Sequence, residues 1–160
     1  MLRFDTPGMA NPIGQAYRVL HLGFIIAPIV AGLDKFFNIL ADWTIYLAPV
    51  FPNLLGVDAQ TFMYGVGAIE IAAGVLVALV PRFAAYVVMA WLWGIIANLF
   101  ILGQHFDIAL RDFGLSLGAL SLGRLAQAHH DARMAIERSD RDTVHTVHTE
   151  PTRIDTRRAA

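Results

Sequence analysis

The stretch QTFMYGVGAIEIAAGVLVALVPRFAAYVVMAWLWGIIANLFILG, residues 60–103, decides the fold of this chain. It consists of two apolar runs, 60–80 and 82–103, that meet at Pro81 and Arg82. A helix rises about 1.5 Å per residue, so each run is long enough to cross a hydrocarbon core about 30 Å thick. Because the connection is so short, the two runs predict antiparallel neighbouring transmembrane helices.

Apolar stretches on either side of this pair predict two more spans, at residues 17–38 and 107–125. The predicted fold is therefore an all-α bundle of four transmembrane helices. Composition agrees, because 56% of the 160 residues are hydrophobic and 16% are charged, which is atypical of soluble globular proteins. Residues 39–59 contain prolines and aromatic side chains, and we predict a loop at the membrane interface there.

The positions of the Lys and Arg residues predict the orientation. Arginines precede the first span, lie between the second and third, and follow the fourth, whereas the connections 39–59 and 104–106 contain no Lys or Arg. The positive-inside rule then predicts that both termini are cytoplasmic. Residues 1–16 form an N-terminal segment without a signal-peptide pattern, and 17–127 the transmembrane domain. The polar residues 128–160 are predicted to be a frayed helix end followed by a disordered cytoplasmic tail.

Charge and composition exclude several classes of function. A net charge of −1 provides no basic surface for nucleic acid. The absence of cysteine excludes a disulfide, a cysteine metal site and a dithiol redox couple. His21 and His105 lie at opposite ends of predicted spans and therefore cannot share a haem iron. We predict no metal site and no intrinsic cofactor.

Polar residues within the predicted spans are the candidates for function, because each charge placed in hydrocarbon costs about 2.5 kcal/mol or more. The candidate ligand-binding residues are Asp34, Lys35, Glu70, Asn98, Arg111 and Asp112. Five of them are predicted to share one depth near the outer side of the bundle, with Glu70 closer to the midplane. No catalytic residue is predicted.

Small residues around two of these positions predict which way the side chains point. Gly67 and Gly74 flank Glu70 at helical spacing, so Glu70 is expected to face another helix. The same argument from Gly114 and Gly118 predicts that Arg111 faces a helix. Asp107 is expected to cap the last helix or to pair with Arg111. The residues leave two interpretations open, a polar binding site or an ion-pair network that only fixes the helix register.

Gly32-Leu33-Asp34-Lys35-Phe36 closes the first span, Glu70 followed by Gly74 lies in the second, and Arg82 with Ala84 and Ala85 opens the third. This order of elements resembles the DoxX-like family of small four-helix membrane proteins. The resemblance covers residues 17–125. It implies a compact bundle in the bacterial plasma membrane that is linked to redox processes, in a family that includes the membrane subunit of thiosulfate:quinone oxidoreductase. It also implies that Lys35 and Glu70 are the polar positions shared with the family.

Three functions remain open on this basis. In the first interpretation, the chain is the membrane subunit of a quinone-linked oxidoreductase system, with quinone or a partner held near the outer leaflet. Alternatively, it is a binding or transport module in which the polar cluster holds a small amphiphile or lipid. The third interpretation is a structural or assembly factor that packs against another membrane protein or a second copy of itself. Whether the chain catalyses a reaction is left open.

Overall fold

The computed structural model describes residues 12–149, and the regular elements in this range are all helical, which confirms the predicted all-α class. The helices are α1 (Pro12–Phe37), a short 3-10 helix (Trp43–Tyr46), α2 (Val50–Leu55), α3 (Ala59–Leu79), α4 (Pro81–Leu102) and α5 (Phe106–Thr149). Three of them, α1, α3 and α4, are long and apolar enough to cross a membrane. The predicted fourth span lies in α5, where charged residues interrupt the apolar sequence.

Two predicted segments differ from the structure. Residues 39–59, predicted to be a loop, contain the 3-10 helix and α2, because Asp42 and Pro49 provide helix starts within the proline-broken stretch. The segment predicted as a frayed helix end followed by a disordered tail is helical over residues 128–149. Its alanine, arginine and glutamate residues favour a helix even where no core is available. The remainder of that prediction, residues 150–160, and most of the N-terminal segment lie outside the described residues.

Local signals explain where α3 and α4 begin and end. Asp58 caps α3, since its carboxylate accepts hydrogen bonds from the Thr61 backbone N–H at 2.9 Å and the Thr61 hydroxyl at 2.6 Å. These bonds from Thr61 hold the pKa of Asp58 below its ordinary value. Pro81 stands in the first turn of α4, and α4 ends at Leu102, before Gly103, whose φ of 73° is left-handed. The connection between α3 and α4 is therefore only Val80.

A histidine of α1 supplies a hydrogen bond that the last turn of α3 lacks. Pro81 has no backbone N–H, so the carbonyl of Val77 loses its partner four residues along the helix. The His21 Nε2 lies 2.9 Å from that carbonyl oxygen. A carbonyl only accepts, so His21 donates and its proton is on Nε2. This bond ties the first part of α1 to the end of α3.

Helices α1 and α3 touch through glycines. A Cβ atom added at Gly32 would lie 2.6 Å from the carbonyl oxygen of Gly67, and one added at Gly67 would lie 2.6 Å from the carbonyl oxygen of Gly32. Further along, a Cβ at Gly74 would lie 2.8 Å from the carbonyl oxygen of Ile25. Only glycine allows the two backbones to approach so closely.

Helices α3, α4 and α5 share an apolar core. Its buried members are small or aliphatic, and they are Val77, Ala84, Ala85, Val88, Leu92, Ala119 and Leu122. A second cluster near the other end of α4 contains Ile96, Leu99 and Ala109. Among residues 12–149, those up to Ala126 belong to one compact unit and those from Gln127 belong to another. The candidate site lies entirely in the first unit.

Candidate functional site

The centre of the site is a buried ion pair between α1 and α3. The Lys35 Nζ lies 2.5 Å from the Glu70 Oε2, and the two side chains are 4% and 9% exposed. Glu70 therefore faces another helix, as predicted from its small neighbours. The glycine contact of Gly32 with Gly67 brings the helices close enough for this pair to form. Each charge of such a pair needs the other, because removing one partner would leave an uncompensated charge in the protein interior.

The chain itself supplies the other contacts of the Lys35 ammonium. Its Nζ lies 3.4 Å from the Ala31 carbonyl oxygen and 3.8 Å from the centre of the Trp43 ring. A cation over the face of an indole is attracted by the negative charge of the ring face. Lys35 is thus held by a carboxylate, a carbonyl and an aromatic face, all from within the bundle.

Asp34 organises the connection after α1. Its carboxylate accepts hydrogen bonds from the backbone N–H groups of Ile39 and Leu40, both at 3.0 Å, and from the Trp43 indole at 2.7 Å. The same indole lies over Lys35. Asp34 is buried, and the backbone N–H groups that follow the end of α1 satisfy its carboxylate. Its role is to position Trp43 over the ion pair.

Asn98 holds a different part of the same connection. Its side-chain N–H donates to the Tyr46 carbonyl at 2.6 Å, and its side-chain oxygen accepts from the Ala48 N–H at 2.9 Å. Both polar ends of this amide are therefore occupied by backbone. Asn98 docks the segment around the 3-10 helix onto α4, and the structure does not bring it to the ion pair.

The prediction for Arg111 is wrong, and its neighbour Asp112 takes the inward position. The Arg111 side chain is 64% exposed, whereas that of Asp112 is 7% exposed. The buried face of α5 is set by Ala109, Asp112, Ser116 and Ala119. Gly114 has open space around it and does not mark a helix contact. Asp107 lies in the first turn of α5.

Asp112 has a weaker set of partners than Glu70. Its Oδ1 accepts one long hydrogen bond, 3.4 Å, from the Nε of the exposed Arg111. The carboxylate is close enough to interact electrostatically with Lys35, which attracts it, and with Glu70, which repels it. The Lys35 ammonium forms its ion pair with Glu70, whereas the ion pair of Asp112 is with Arg111. The only guanidinium beside them points outward.

Trp91 contributes a buried donor beside Glu70. Its indole Nε1 is inaccessible to solvent and makes no hydrogen bond within the described part of the chain. The N–H group interacts favourably with the negative charge of the Glu70 carboxylate, but the two groups do not meet hydrogen-bond geometry. Buried indole N–H groups normally find an acceptor. Trp91 therefore places a buried donor of α4 near Glu70, without a hydrogen bond within the described residues.

Sequence reasoning did not single out the two tryptophans of the site. Trp43 belongs to the stretch 39–59, which the sequence predicts to be a loop at the membrane interface, and Trp91 lies within the predicted span 82–103. The sequence feature that could have related Trp43 to the site is its position nine residues after Asp34, across a turn. No sequence feature separates Trp91 from the exposed Trp93 two residues later. The histidines act elsewhere, because His21 bonds to Val77 and the His105 ring packs against Tyr46 at 4.8 Å.

The geometry divides the six predicted residues into three groups. Lys35 and Glu70 form the ion pair, Asp34 and Asn98 hold the connection between α1 and α3, and Asp112 lies buried while Arg111 lies outside. Chemically, Glu70, Asp112 and Trp91 together offer acceptors and a donor for the polar head of a ligand. Comparison of the chain with protein-family models, with curated proteins and with solved structures gave no match.

Proposed function

We propose that the chain is a multi-pass protein of the bacterial plasma membrane with four spans and both termini in the cytoplasm. The first part of α5 supports a fourth span, because it packs against α3 and α4 through Ala119 and Leu122 in the same compact unit. The arginine distribution supports the orientation. A helix that packs in one core with two membrane-spanning helices is expected to lie in the bilayer with them.

Single-cysteine variants test this topology directly, because the chain contains no cysteine. In intact cells, a membrane-impermeant maleimide is expected to label Asn53→Cys. It should label Arg82→Cys and Arg138→Cys only after the membrane is permeabilised. Labelling of Arg138→Cys from outside would mean that α5 does not cross and that the bundle has three spans.

We further propose that Asp112 and Trp91, beside the ion pair of Glu70, bind the polar head of a small amphiphile, and that a quinone is that amphiphile. The chain would then be the membrane subunit of a quinone-linked oxidoreductase system, which agrees with the resemblance to the DoxX-like family. One observation carries the proposal: beside the satisfied ion pair lie a buried carboxylate with one long hydrogen bond and a buried N–H with none. Groups of this kind are costly unless a ligand completes them.

Quinone chemistry matches the two unsatisfied groups. A quinone carbonyl accepts a hydrogen bond, which the Trp91 N–H supplies, and a quinol hydroxyl donates one, which the Asp112 carboxylate accepts. Glu70 is held by Lys35, so its charge is already balanced within the bundle. The apolar surfaces of α4 and α5 accommodate an isoprenoid tail.

Quinone extraction and native mass spectrometry on protein purified in mild detergent test this site. We expect wild type to retain quinone and Asp112→Asn and Trp91→Phe to lose most of it. The matched controls are Asp107→Asn, an exposed carboxylate on the same helix, and Trp93→Phe, an exposed tryptophan on α4. Both controls should retain quinone. Wild-type protein without quinone, or equal retention in all variants, would contradict the proposal.

A structural role is the second candidate, and the tight contact of α1 with α3 favours it. There the ion pair joins two helices whose backbones touch at Gly32 and Gly67. If this is the whole function of the polar groups, Asp112→Asn changes neither bound quinone nor respiratory flux. Glu70→Gln would then lower the amount of folded protein and the cellular phenotype in the same proportion.

A further inference from the structure

Arg111 is an exposed arginine on an apolar surface. Its side chain is 64% exposed, and Leu110 and Leu115 beside it are 72% and 45% exposed. A guanidinium has five N–H donors, and the only one that bonds within residues 12–149 is Nε, at 3.4 Å from Asp112. The charged end of the side chain is therefore open to a ligand from outside the bundle.

The packing of α5 against α4 sets the level of Arg111. Ala109 lies in one apolar cluster with Ile96 and Leu99. Helix α4 ends at Leu102, so Ile96 lies roughly 9 Å from that end. Arg111 is thus level with the apolar part of α4, near its outer end. At such a level a long cationic side chain extends to the headgroups rather than staying in hydrocarbon.

Asp107 lies one helical turn above Arg111, towards the start of α5. It is exposed, and within the described residues it forms no ion pair with Arg111 at 4.0 Å or less. Side chains four residues apart on a helix are separated by about 5–6 Å between Cβ atoms. The surface therefore presents a cation nearer the membrane interior and an anion nearer the water.

We propose that Arg111 and Asp107 bind one phospholipid whose headgroup carries a primary amine. The guanidinium binds the phosphate, for which its planar fork is well suited, and the carboxylate binds the ammonium group. In such a lipid the phosphate lies nearer the acyl chains and the amine nearer the water, which is the order of the two side chains on α5. Leu110 and Leu115 contact the acyl chains.

This inference rests on the proposed fourth span but not on the proposed quinone site. The lipid contacts the outer surface of α5, whereas Asp112 and Trp91 lie on the inner side. The cysteine-labelling experiment tests the span by itself. A failure of the lipid site and a failure of the topology are therefore distinguishable.

Native mass spectrometry of the full chain in mild detergent provides the test, with phosphatidylethanolamine and phosphatidylglycerol titrated separately. We expect wild type to bind phosphatidylethanolamine about fivefold more tightly than phosphatidylglycerol, because only the former offers an ammonium group to Asp107. Arg111→Gln is expected to weaken both by about tenfold. Asp107→Asn should remove the preference and leave phosphatidylglycerol bound at least as well as before.

Arg133→Gln is the matched control, since it removes an exposed arginine of α5 beyond the proposed span. It is expected to change neither lipid. Unchanged adducts in Arg111→Gln, or tighter binding of phosphatidylglycerol by wild type, would overturn the proposal. Displacement of the lipid by millimolar inorganic phosphate would also overturn it, because the site would then serve free phosphate.

Discussion

The contact of α1 with α3 and the inner face of α5 both bury charge, but they satisfy it differently. Between α1 and α3, Lys35 and Glu70 neutralise each other at 2.5 Å, and Lys35 has further partners in the Ala31 carbonyl and the Trp43 ring. On α5, Asp112 is almost as buried but accepts only a 3.4 Å bond from the exposed Arg111.

This difference teaches which charges hold the fold and which are available for a ligand. A charge with several partners at short range cannot bind a ligand without losing those partners. A buried carboxylate with one long bond has unused acceptor capacity. The α1 and α3 contact is therefore the structural part of the site, and Asp112 and Trp91 are the residues for which we propose ligand binding.

The largest effect is expected from breaking the ion pair. Lys35→Met leaves Glu70 buried without its counterion, and removing one partner of a buried pair costs about 3–5 kcal/mol. The free energy of unfolding in mixed detergent, followed by circular dichroism, measures this loss. The double variant Lys35→Met with Glu70→Met is the control, since it leaves neither charge unpaired and should recover most of the stability. A double variant no more stable than Lys35→Met would mean that the pair contributes by its shape rather than its charge.

Gly67→Ala should give the next largest effect. Its Cβ would lie 2.6 Å from the Gly32 carbonyl oxygen, so α1 and α3 must separate, and overpacking of this kind costs about 1–3 kcal/mol. Gly65→Ala, on the same helix with nothing within 4 Å, should be neutral or slightly stabilising. Thermal unfolding of the two variants in one detergent compares them. Equal melting temperatures would show that the close glycine contact does not hold the helices together.

His21 offers a smaller test of the same interface. His21→Ala leaves the Val77 carbonyl without its donor, at a cost of about 0.5–1.5 kcal/mol. His21→Gln retains a side-chain N–H and should recover part of that loss. The expected order of thermal stability is wild type, then the glutamine variant, then the alanine variant. A glutamine variant as unstable as the alanine variant would point to the contact of His21 with Tyr17, 5.3 Å between ring centres, as the stabilising one.

Asp112→Asn should change stability least, within about 1 kcal/mol, because its bond to the exposed Arg111 resembles a surface ion pair. Removing the charge also relieves repulsion with Glu70. The same unfolding measurement checks this expectation. A loss of several kcal/mol would place Asp112 with the ion pair as part of the scaffold, and the contrast between the two regions would disappear.

The sequence by itself determined the helical class, the helix ends near the prolines and glycines, and the inward direction of Glu70. These features depend on local chemistry: the length of an apolar run, a proline without an N–H, or a stripe of small residues around one position. The lysine and glutamate positions were identified as charges too costly to leave unpaired in hydrocarbon.

Only the tertiary structure decided which polar residues share a site. Arg111 and Asp112 are adjacent in sequence, so a rotation of about 100° decides which one is buried. Of the glycine pair, Gly118 lies against Phe24 of α1, but Gly114, which is nearer to Arg111, has nothing within 4 Å. Asp34 and Asn98 were equally plausible ligands until the connection between α1 and α3 supplied their partners. Trp91 differs from Trp93 only in which neighbour its helix face meets. Partners distant in sequence decide such choices, and no local pattern encodes them.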